Sequence, residues 1–303
     1  MPASTLILDG GGTSTDVAVV CSNGIKARTE LPAFKPLRHD PRTDELCRAI
    51  GAFLATAPLT PEEATIRFCV IGMSGVWSEH ERTSYTNAFC DAWMQYVDNT
   101  VPAIRVMSDV ELVLIAAFAQ GCGVVLIAGT GSIAVARSED GTLTRCGGWG
   151  PRLDDEGGGF WMGREALRAV ACMLDSRGPK TLLARPVSAY LRCDPNDLAV
   201  LESRLRSASI DSVARLARAV LTYAEEGDEV ARGIAERGAV ALHSIARPFI
   251  AHTDAPPPSM VLHGSLFTSY FYRNMVERLI RADAEAIEIR VLDDLIGAIA
   301  SQA

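Results

Sequence analysis

Short apolar runs alternate along the chain with stretches in which apolar residues recur every three to four positions. The first pattern is typical of buried strands, and the second of helices that pack one face on a sheet. Their alternation predicts an α/β protein. In the first half of the chain the predicted strands are 5–10, 16–21, 66–73 and 103–109, and the predicted helices are 43–57, about 80–96 and the apolar segment after residue 109.

The second half begins with a strand, a turn and another strand over 124–138. Most of 158–252 has helical periodicity, including one long helix "ARAVLTYAEEGDEVARGIAERGAVALHSIA", with interruptions at "RGPK" and "RCDPND". The C-terminal part returns to strand and helix, with apolar runs in "SMVLHGSLF" and "AIEIRVL" and a short helix that ends near Ala300.

Composition narrows the class of protein. The chain has 303 residues, of which 48% are hydrophobic, and can form two cores of ordinary domain size. A net charge of -8 without any Lys/Arg run argues against a nucleic-acid partner. The apolar runs are too short to cross a bilayer, no signal-peptide pattern is present, and the eight cysteines form no CxxC pair. We therefore expect a cytoplasmic protein with no membrane partner.

The first glycine-rich turn, Asp9-Gly10-Gly11-Gly12-Thr13, separates two predicted strands. Glycines let backbone N–H groups approach an anion closely, so the turn is a candidate phosphate site. The alternative is a plain hairpin turn, which needs only one or two glycines. No Gly-Lys-Ser/Thr follows, and the next segment alternates like a strand, which excludes a Walker loop and a Rossmann fingerprint.

A second turn, Gly129-Thr130-Gly131-Ser132, has the same context of strand, turn and strand. The repeat predicts two related domains, over 1–110 and 111–293, with the last helix at about 294–303 joined to the first. The two hairpins resemble those of the actin-like sugar kinase and heat-shock ATPase superfamily. That resemblance implies two actin-like (ribonuclease H-like) α/β domains with ATP in an interdomain nucleotide cleft.

Asp109 follows the strand "AIRVM" and opens a helix. A carboxylate at the carboxyl end of a strand lies where α/β proteins bind ligands, which favours a general base. The alternative is a helix N-cap, a role that the neighbouring Ser108 could also fill. A further candidate is the loop within "CGGWGPRLDDEGGGFWMGREAL", which could place an aromatic platform and a carboxylate beside a sugar.

The motifs D-G-G-G-T, G-T-G-S, G-G-W-G and D-E-G occur in an order that resembles the N-acetylglucosamine kinase group of the BadF/BadG/BcrA/BcrD ATPase family. The resemblance covers nearly the whole chain and implies a magnesium-dependent ATP kinase for an amino sugar, with a homodimer expected. It implies ATP contacts at Asp9, Gly11, Gly12, Thr13, Gly129, Thr130, Gly131, Ser132, Gly264 and Ser265. It further implies sugar contacts at Gly148, Trp149, Asp155 and the catalytic base Asp109, and Mg²⁺ near Asp9, through water.

The chain departs from the family pattern at two places. The segment "LPAFKPLRHD" lacks the sugar-contacting asparagine of the family, and Asp154 replaces a glycine, which adds negative charge that favours a cationic amino sugar. We expect phosphorylation of N-acetylglucosamine or glucosamine at the 6-hydroxyl. Two alternatives remain: an ATPase with an iron–sulfur cluster that activates an electron-transfer partner, and an inactive sugar-binding protein. The former needs a cluster held by cysteines from two subunits, and no cysteine here follows the glycine-rich loops in the manner of those ATPases.

Overall fold

The chain divides into two compact units in a computed structural model that describes residues 4–37, 40–192, 200, 203–204, 208–250 and 259–302. Unit 1 comprises Met1–Gln120 and Asp294–Ala303, and unit 2 comprises Gly121–Asp293. The division falls after Gln120 and not near residue 110, because the helix Asp109–Phe118 packs on the sheet of unit 1.

Unit 1 contains a five-stranded sheet in the order β3-β2-β1-β4-β5. Its strands are β1 (Ser4–Gly10), β2 (Ser14–Cys21), β3 (Gly24–Pro32), β4 (Ile66–Met73) and β5 (Ala103–Met107). β2 is antiparallel to β1 and β3, whereas β4 is parallel to β1 and β5. The carboxyl ends of β1, β4 and β5 therefore meet at one edge of the sheet, called here the carboxyl edge of unit 1.

Helices cover both faces of this sheet. They are α1 (Thr43–Thr56), α2 (Pro61–Ala64), α3 (Glu79–Tyr96), α4 (Asp109–Phe118) and α11 (Leu295–Ala300). α1 and α3 pack together over a core that includes Leu6, Leu46 and Trp93. α4 contacts α11 and also β1 and β4. Gly72 is the partner of Asp9 on β4, and a Cβ on Gly72 would meet Leu112 of α4. Asp9 therefore lies on the side of the sheet that α4 covers.

Unit 2 repeats the strand arrangement of unit 1. Its strands are β6 (Gly123–Ala128), β7 (Ser132–Arg137), β8 (Leu143–Gly147), β9 (Met260–His263) and β10 (Ile289–Leu292), in the order β10-β9-β6-β7-β8. As in unit 1, three antiparallel strands are extended on one side by two parallel strands. The predicted internal repeat is thus present in the strand topology, and the α/β prediction is confirmed.

The helices of unit 2 pack around a core formed with β6 and β9. Those described are α5 (Gly159–Leu174), α6 (Ala184–Leu191), α7 (Ile210–Ala214), α8 (Leu216–Glu225), α9 (Glu229–Ala246) and α10 (Tyr270–Asp283), with 3₁₀ turns at Arg247–Phe249 and Ser265–Thr268. In the described part of the chain, no helix combines the length and the apolar character that a bilayer crossing needs.

Three local predictions were wrong or incomplete. β3 and β8 were not predicted; both are edge strands, and most of their residues are only partly covered. The single long helix predicted over 217–246 is two helices, because Gly227 has φ +99° and Asp228 caps α9 by accepting the Ala231 N–H at 2.8 Å. The predicted break at "RGPK" is confirmed between α5 and α6, and most of "RCDPND" lies outside the described residues.

Candidate active site

The turn between β1 and β2 holds the first set of predicted phosphate contacts. The Gly11 N–H donates to the Ser14 carbonyl at 3.0 Å and closes the turn. Gly12 and Thr13 form its tip, with Thr13 exposed. A Cβ on Gly11 would be in ordinary contact with Ser14 O, at 3.5 Å. The fold itself therefore tolerates a side chain at Gly11, so only a ligand would explain a strict need for glycine there.

Asp9 and Asp109 lie at the carboxyl edge of unit 1, at the ends of β1 and β5. Burial and then the charges of Asp109 and Asp16 raise the pKa of Asp9 to about 7, against a lowering by Arg28. Burial also raises the pKa of Asp109. The structure therefore brings together two of the predicted acidic residues, in surroundings that disfavour their negative charges.

Ser108, and not Asp109, caps helix α4. The Ser108 hydroxyl accepts the Glu111 N–H at 3.3 Å, and the Glu111 carboxylate accepts the Ser108 N–H at 2.9 Å, which forms a capping box. The Asp109 carboxylate accepts the N–H of its neighbour Val110 at 3.0 Å. The N-cap of α4 is therefore Ser108, and the N-cap alternative for Asp109 is wrong.

Ser74, Gly75 and Lys35 belong to the same edge and were not predicted as site residues. The Ser74 N–H donates to the Gly10 carbonyl at 2.8 Å, and its hydroxyl donates to Asp109. Gly75 has φ +88°, and a Cβ there would lie 3.3 Å from Lys35 Cε. Ser74 and Gly75 could have been identified as candidate site residues from the sequence, because they follow directly after a buried parallel strand.

Arg28 joins three segments of unit 1 through ion pairs. Its Nε donates to both carboxylate oxygens of Asp16, each at 3.0 Å, and its Nη1 donates to Asp294 at 2.7 Å. Asp294 also caps α11 by accepting the Gly297 N–H at 3.0 Å. Since Asp16 lies opposite Asp9 in the strand register, the ion pair between Arg28 and Asp16 lies on the same side of the sheet as Asp9.

The residues at this edge fit a hydrated Mg²⁺ ion. A cation would relieve the repulsion between the buried carboxylates of Asp9 and Asp109, whose pKa values are raised. No group of three or more His, Cys, Asp or Glu side chains in the described segments could form a dedicated metal cage. Mg²⁺ commonly keeps several waters and uses one or two protein carboxylates, which is the donor set that this edge offers.

The second hairpin, between β6 and β7, is fixed to the start of α5. The Gly159 and Phe160 N–H groups donate to the carbonyls of Gly129 and Thr130, at 2.8 and 2.9 Å. The Ser132 hydroxyl donates to the Glu156 carbonyl at 2.7 Å. Carbonyls of the turn thus satisfy N–H groups that would otherwise be free at a helix N-terminus. The predicted contact residues Gly129 to Ser132 are therefore held in one conformation.

Asp155, in the loop after β8, packs against this hairpin at Gly131. Its φ is +65°, it is only 9% exposed, and its carboxylate accepts the Gly150 N–H at 3.2 Å. A Cβ on Gly131 would lie 2.8 Å from Asp155 Cγ, so the two residues are in direct contact. The structure thus joins a predicted sugar contact to a predicted phosphate contact within unit 2.

The loop after β8 presents Trp149 to solvent. Gly148 has φ +70°, and its Cα lies against Ile133 so closely that a Cβ would be 2.6 Å from Ile133 Cδ1. Trp149 is 64% exposed, with the guanidinium of Arg145 over its ring at 4.2 Å. Asp154 accepts the Trp149 N–H at 3.4 Å. Asp154 thus takes part in the structure of this loop.

Gly264 lies against the same hairpin. Its φ is +110°, and a Cβ there would come 2.5 Å from the Ala128 carbonyl oxygen and 3.1 Å from the Gly129 nitrogen. Ser265 is exposed and begins the 3₁₀ turn that follows. The predicted adenosine turn is therefore adjacent to the predicted phosphate turn.

The cysteines in the described part of the chain do not form the exposed pairs that a shared cluster requires. Of the seven that the structure describes, Cys122 is exposed, whereas Cys21, Cys47 and Cys69 are buried. Cys193 lies outside the described residues. Burial raises the pKa of Cys47 to about 12, so its thiol is inert as a ligand or nucleophile at neutral pH. The iron–sulfur alternative gains no support from the described cysteines.

Comparisons with known proteins agree with the resemblance in the motifs. The chain is 29% identical over 254 residues to the N-acetyl-D-glucosamine kinase of Dictyostelium discoideum, covering 80% of this chain and 78% of that protein. It is 31% identical over 136 residues to the N-acetylmuramic acid/N-acetylglucosamine kinase of Clostridium acetobutylicum, covering 45% and 44%.

A solved structure from Chromobacterium violaceum, provisionally named as an N-acetylglucosamine kinase, matches with a TM-score of 0.75 and 23% identity over 99% of this chain and 98% of that chain. At that identity the match shows the fold, and it confirms the prediction of two actin-like α/β units. The family prediction is confirmed as well: the chain belongs to the BadF/BadG/BcrA/BcrD ATPase family, whose sequence model matches residues 8–299.

Proposed function

We propose that the protein transfers the γ-phosphoryl group of ATP to the 6-hydroxyl of an amino sugar. The observation that carries this proposal is the Asp109 carboxylate, which lies at the carboxyl edge of unit 1 without the task of capping α4. Phosphoryl transfer needs an acceptor hydroxyl held in place and a group that accepts its proton. Asp109 is the base in this proposal.

Asp9 is the residue proposed to act on the metal. A bound Mg²⁺ supplies positive charge that neutralises the phosphate oxygens during transfer. Asp9 would hold the hydration shell of such an ion, because its carboxylate is buried beside Asp109 and would gain from a neighbouring cation. Gly11, Gly12 and Thr13 offer backbone and hydroxyl donors to the phosphates from the same hairpin.

Unit 2 carries the remaining contacts. Gly129 to Ser132 are proposed for the ATP phosphates, and Gly264 with Ser265 for the adenosine. Gly148 and Trp149 are proposed for the sugar, since an exposed indole offers an apolar surface to a sugar ring. Asp155 is proposed to accept a sugar hydroxyl while Gly131 and Gly150 hold its carboxylate in place.

The names of the relatives support this assignment, because both curated relatives are amino-sugar kinases by name. A panel assay tests it: ADP release with ATP and Mg²⁺ is measured against N-acetylglucosamine, glucosamine, N-acetylmannosamine and N-acetylmuramic acid, with no sugar as the control. Stimulation by an amino sugar and a 6-phosphate product in NMR are expected. Absence of stimulation across the panel would overturn the proposal. The homodimer stays a prediction that light scattering can measure.

A further inference from the structure

Tyr272 is a buried tyrosine of α10 whose hydroxyl reaches the loop that carries Asp155. The side chain is fully buried, and its hydroxyl donates to the Gly157 carbonyl at 2.9 Å, across 115 positions of the chain. Burial raises the pKa of Tyr272, so the hydroxyl stays protonated and remains a donor at neutral pH. Because an unpaired buried hydroxyl is costly, this bond holds the tyrosine and the loop together.

One peptide unit connects this hydrogen bond to Asp155. The Gly157 carbonyl and the Gly158 N–H belong to the same peptide unit, and that N–H donates to the Asp155 carbonyl at 3.1 Å. Peptide units are planar, so a fixed carbonyl also fixes the direction of the N–H. A carbonyl that accepts a hydrogen bond also polarises its own N–H and strengthens the bond that this N–H donates. Tyr272 thus acts on the backbone of Asp155 through two hydrogen bonds in series.

Asp155 needs such support because its backbone is strained. Its φ is +65°, in the left-handed region that residues with a side chain adopt only at a cost. A conformation of this kind persists only where the surrounding structure enforces it. The position of the Asp155 carboxylate therefore depends on the contacts that hold the turn 155–158.

Gly157 and Gly238 leave the space in which the tyrosine meets this turn. A Cβ on Gly157 would come 2.5 Å from the Gly238 carbonyl oxygen, and a Cβ on Gly238 would come 2.8 Å from the Tyr272 hydroxyl oxygen. Glycine destabilises a helix interior relative to alanine, so Gly238 within α9 needs a packing reason. The close approach of the turn, α9 and α10 at this point supplies that reason.

We propose that Tyr272 is a positioning residue for the sugar, which holds the turn 155–158 so that the Asp155 carboxylate can accept a sugar hydroxyl. The inference rests on the proposed function, in which Asp155 contacts the sugar. Tyr272 acts through the backbone and not on the ligand, because its hydroxyl is buried and already bonded. The ATP hairpin has separate hydrogen bonds from Gly159 and Phe160, so the nucleotide contacts should not depend on Tyr272.

The test is Tyr272→Phe, which removes the hydroxyl and keeps the ring. The KM for the amino sugar is expected to rise about 2- to 10-fold, the range of one hydrogen bond, with the KM for ATP retained. The matched control is Tyr85→Phe, since Tyr85 is also buried and its hydroxyl has no hydrogen-bond partner among the described residues. It should change neither KM. An unchanged sugar KM in Tyr272→Phe, or equal rises for sugar and ATP, would overturn the inference.

Gly238→Ala probes the same contact from α9. Its added methyl group would displace the Tyr272 hydroxyl, so the sugar KM should rise as it does in Tyr272→Phe. Gly233→Ala, on the same helix, is the control, because a Cβ there would lie 3.7 Å from Arg237 Nη1, an ordinary contact. A rise in both alanine variants would assign the effect to the helix and would contradict the inference.

Amide hydrogen exchange at Gly158 tests the link to Asp155 without any sugar. Exchange should be faster in Tyr272→Phe than in the wild type, whereas exchange at Gly159, whose N–H donates to Gly129, should stay the same. If the wild type phosphorylates no amino sugar, the proposed function fails, and this exchange decides on Tyr272 separately. Faster exchange at Gly158 alone supports the hold of Tyr272 on the turn, and equal exchange in the two proteins overturns it.

Discussion

The carboxylate of Asp155 occupies the space that a side chain on Gly131 would need. A Cβ on Gly131 would lie 2.8 Å from Asp155 Cγ and 3.5 Å from its Cβ. Glycine at this position therefore has a structural reason that is independent of any phosphate. If a substitution at Gly131 reduces activity strongly, the cause can be a displaced Asp155 as well as weaker nucleotide binding.

Alanine substitutions at Gly129 and Gly131 separate these two effects. Nothing lies within 4 Å of a Cβ on Gly129, so Gly129→Ala should keep the wild-type Tm and weaken ATP binding about tenfold, roughly 1.4 kcal/mol. Gly131→Ala should lower the free energy of unfolding by about 1–3 kcal/mol, because Asp155 must move. Calorimetry measures both quantities. Unchanged ATP affinity in Gly129→Ala would mean that its turn does not approach a phosphate.

Substitutions at Asp109 and Ser108 should have opposite effects. Asp109→Asn keeps the size of the side chain but cannot accept a proton, so kcat should fall by about 10²–10⁴ with sugar and ATP affinities retained. Ser108→Ala removes the helix cap and should cost about 0.5–2 kcal/mol of stability with kcat retained. Steady-state kinetics and thermal unfolding of both variants provide the check. Near-normal kcat in Asp109→Asn would remove the proposed base.

Asp9→Asn should raise the Mg²⁺ concentration needed for half-maximal activity. A carboxylate that holds a metal ion through water contributes about 10- to 100-fold in metal affinity or activity. Magnesium titrations of ADP release measure the change. Asp91→Asn, which removes the same charge from an exposed position on α3, is the control and should behave as the wild type. A like response of the two variants would show that Asp9 has no role at the metal.

Trp149→Ala should raise the KM for the sugar about tenfold, or roughly 1.4 kcal/mol, with the affinity for ATP unchanged. The indole is 64% exposed, so its loss should leave the Tm unaffected. Leu153→Ala is a matched control on the same loop, since Leu153 is 79% exposed and is assigned no ligand. If both substitutions change the sugar KM alike, the loop and not the indole determines sugar binding.

Much of the fold could be predicted because its signals are local. β1, β2, β6 and β7 are apolar, β-branched runs on either side of glycine turns, and such hairpins are formed by residues close in the chain. β3 and β8 were missed because an edge strand is covered on fewer sides and keeps charged and polar residues along its length. The break before α9 depends on Gly227 and Asp228, a turn and cap signal hidden within continuous helical periodicity.

The sequence by itself determined the α/β class, the paired glycine hairpins and the family, and it offered Asp109 as the candidate base. Only the tertiary structure brought Lys35 and Ser74 to the edge that Asp109 occupies. The physical reason is that hairpins and caps depend on neighbours in the chain. Contacts between the ends of parallel strands depend on pairing between distant segments, and no local pattern records that pairing.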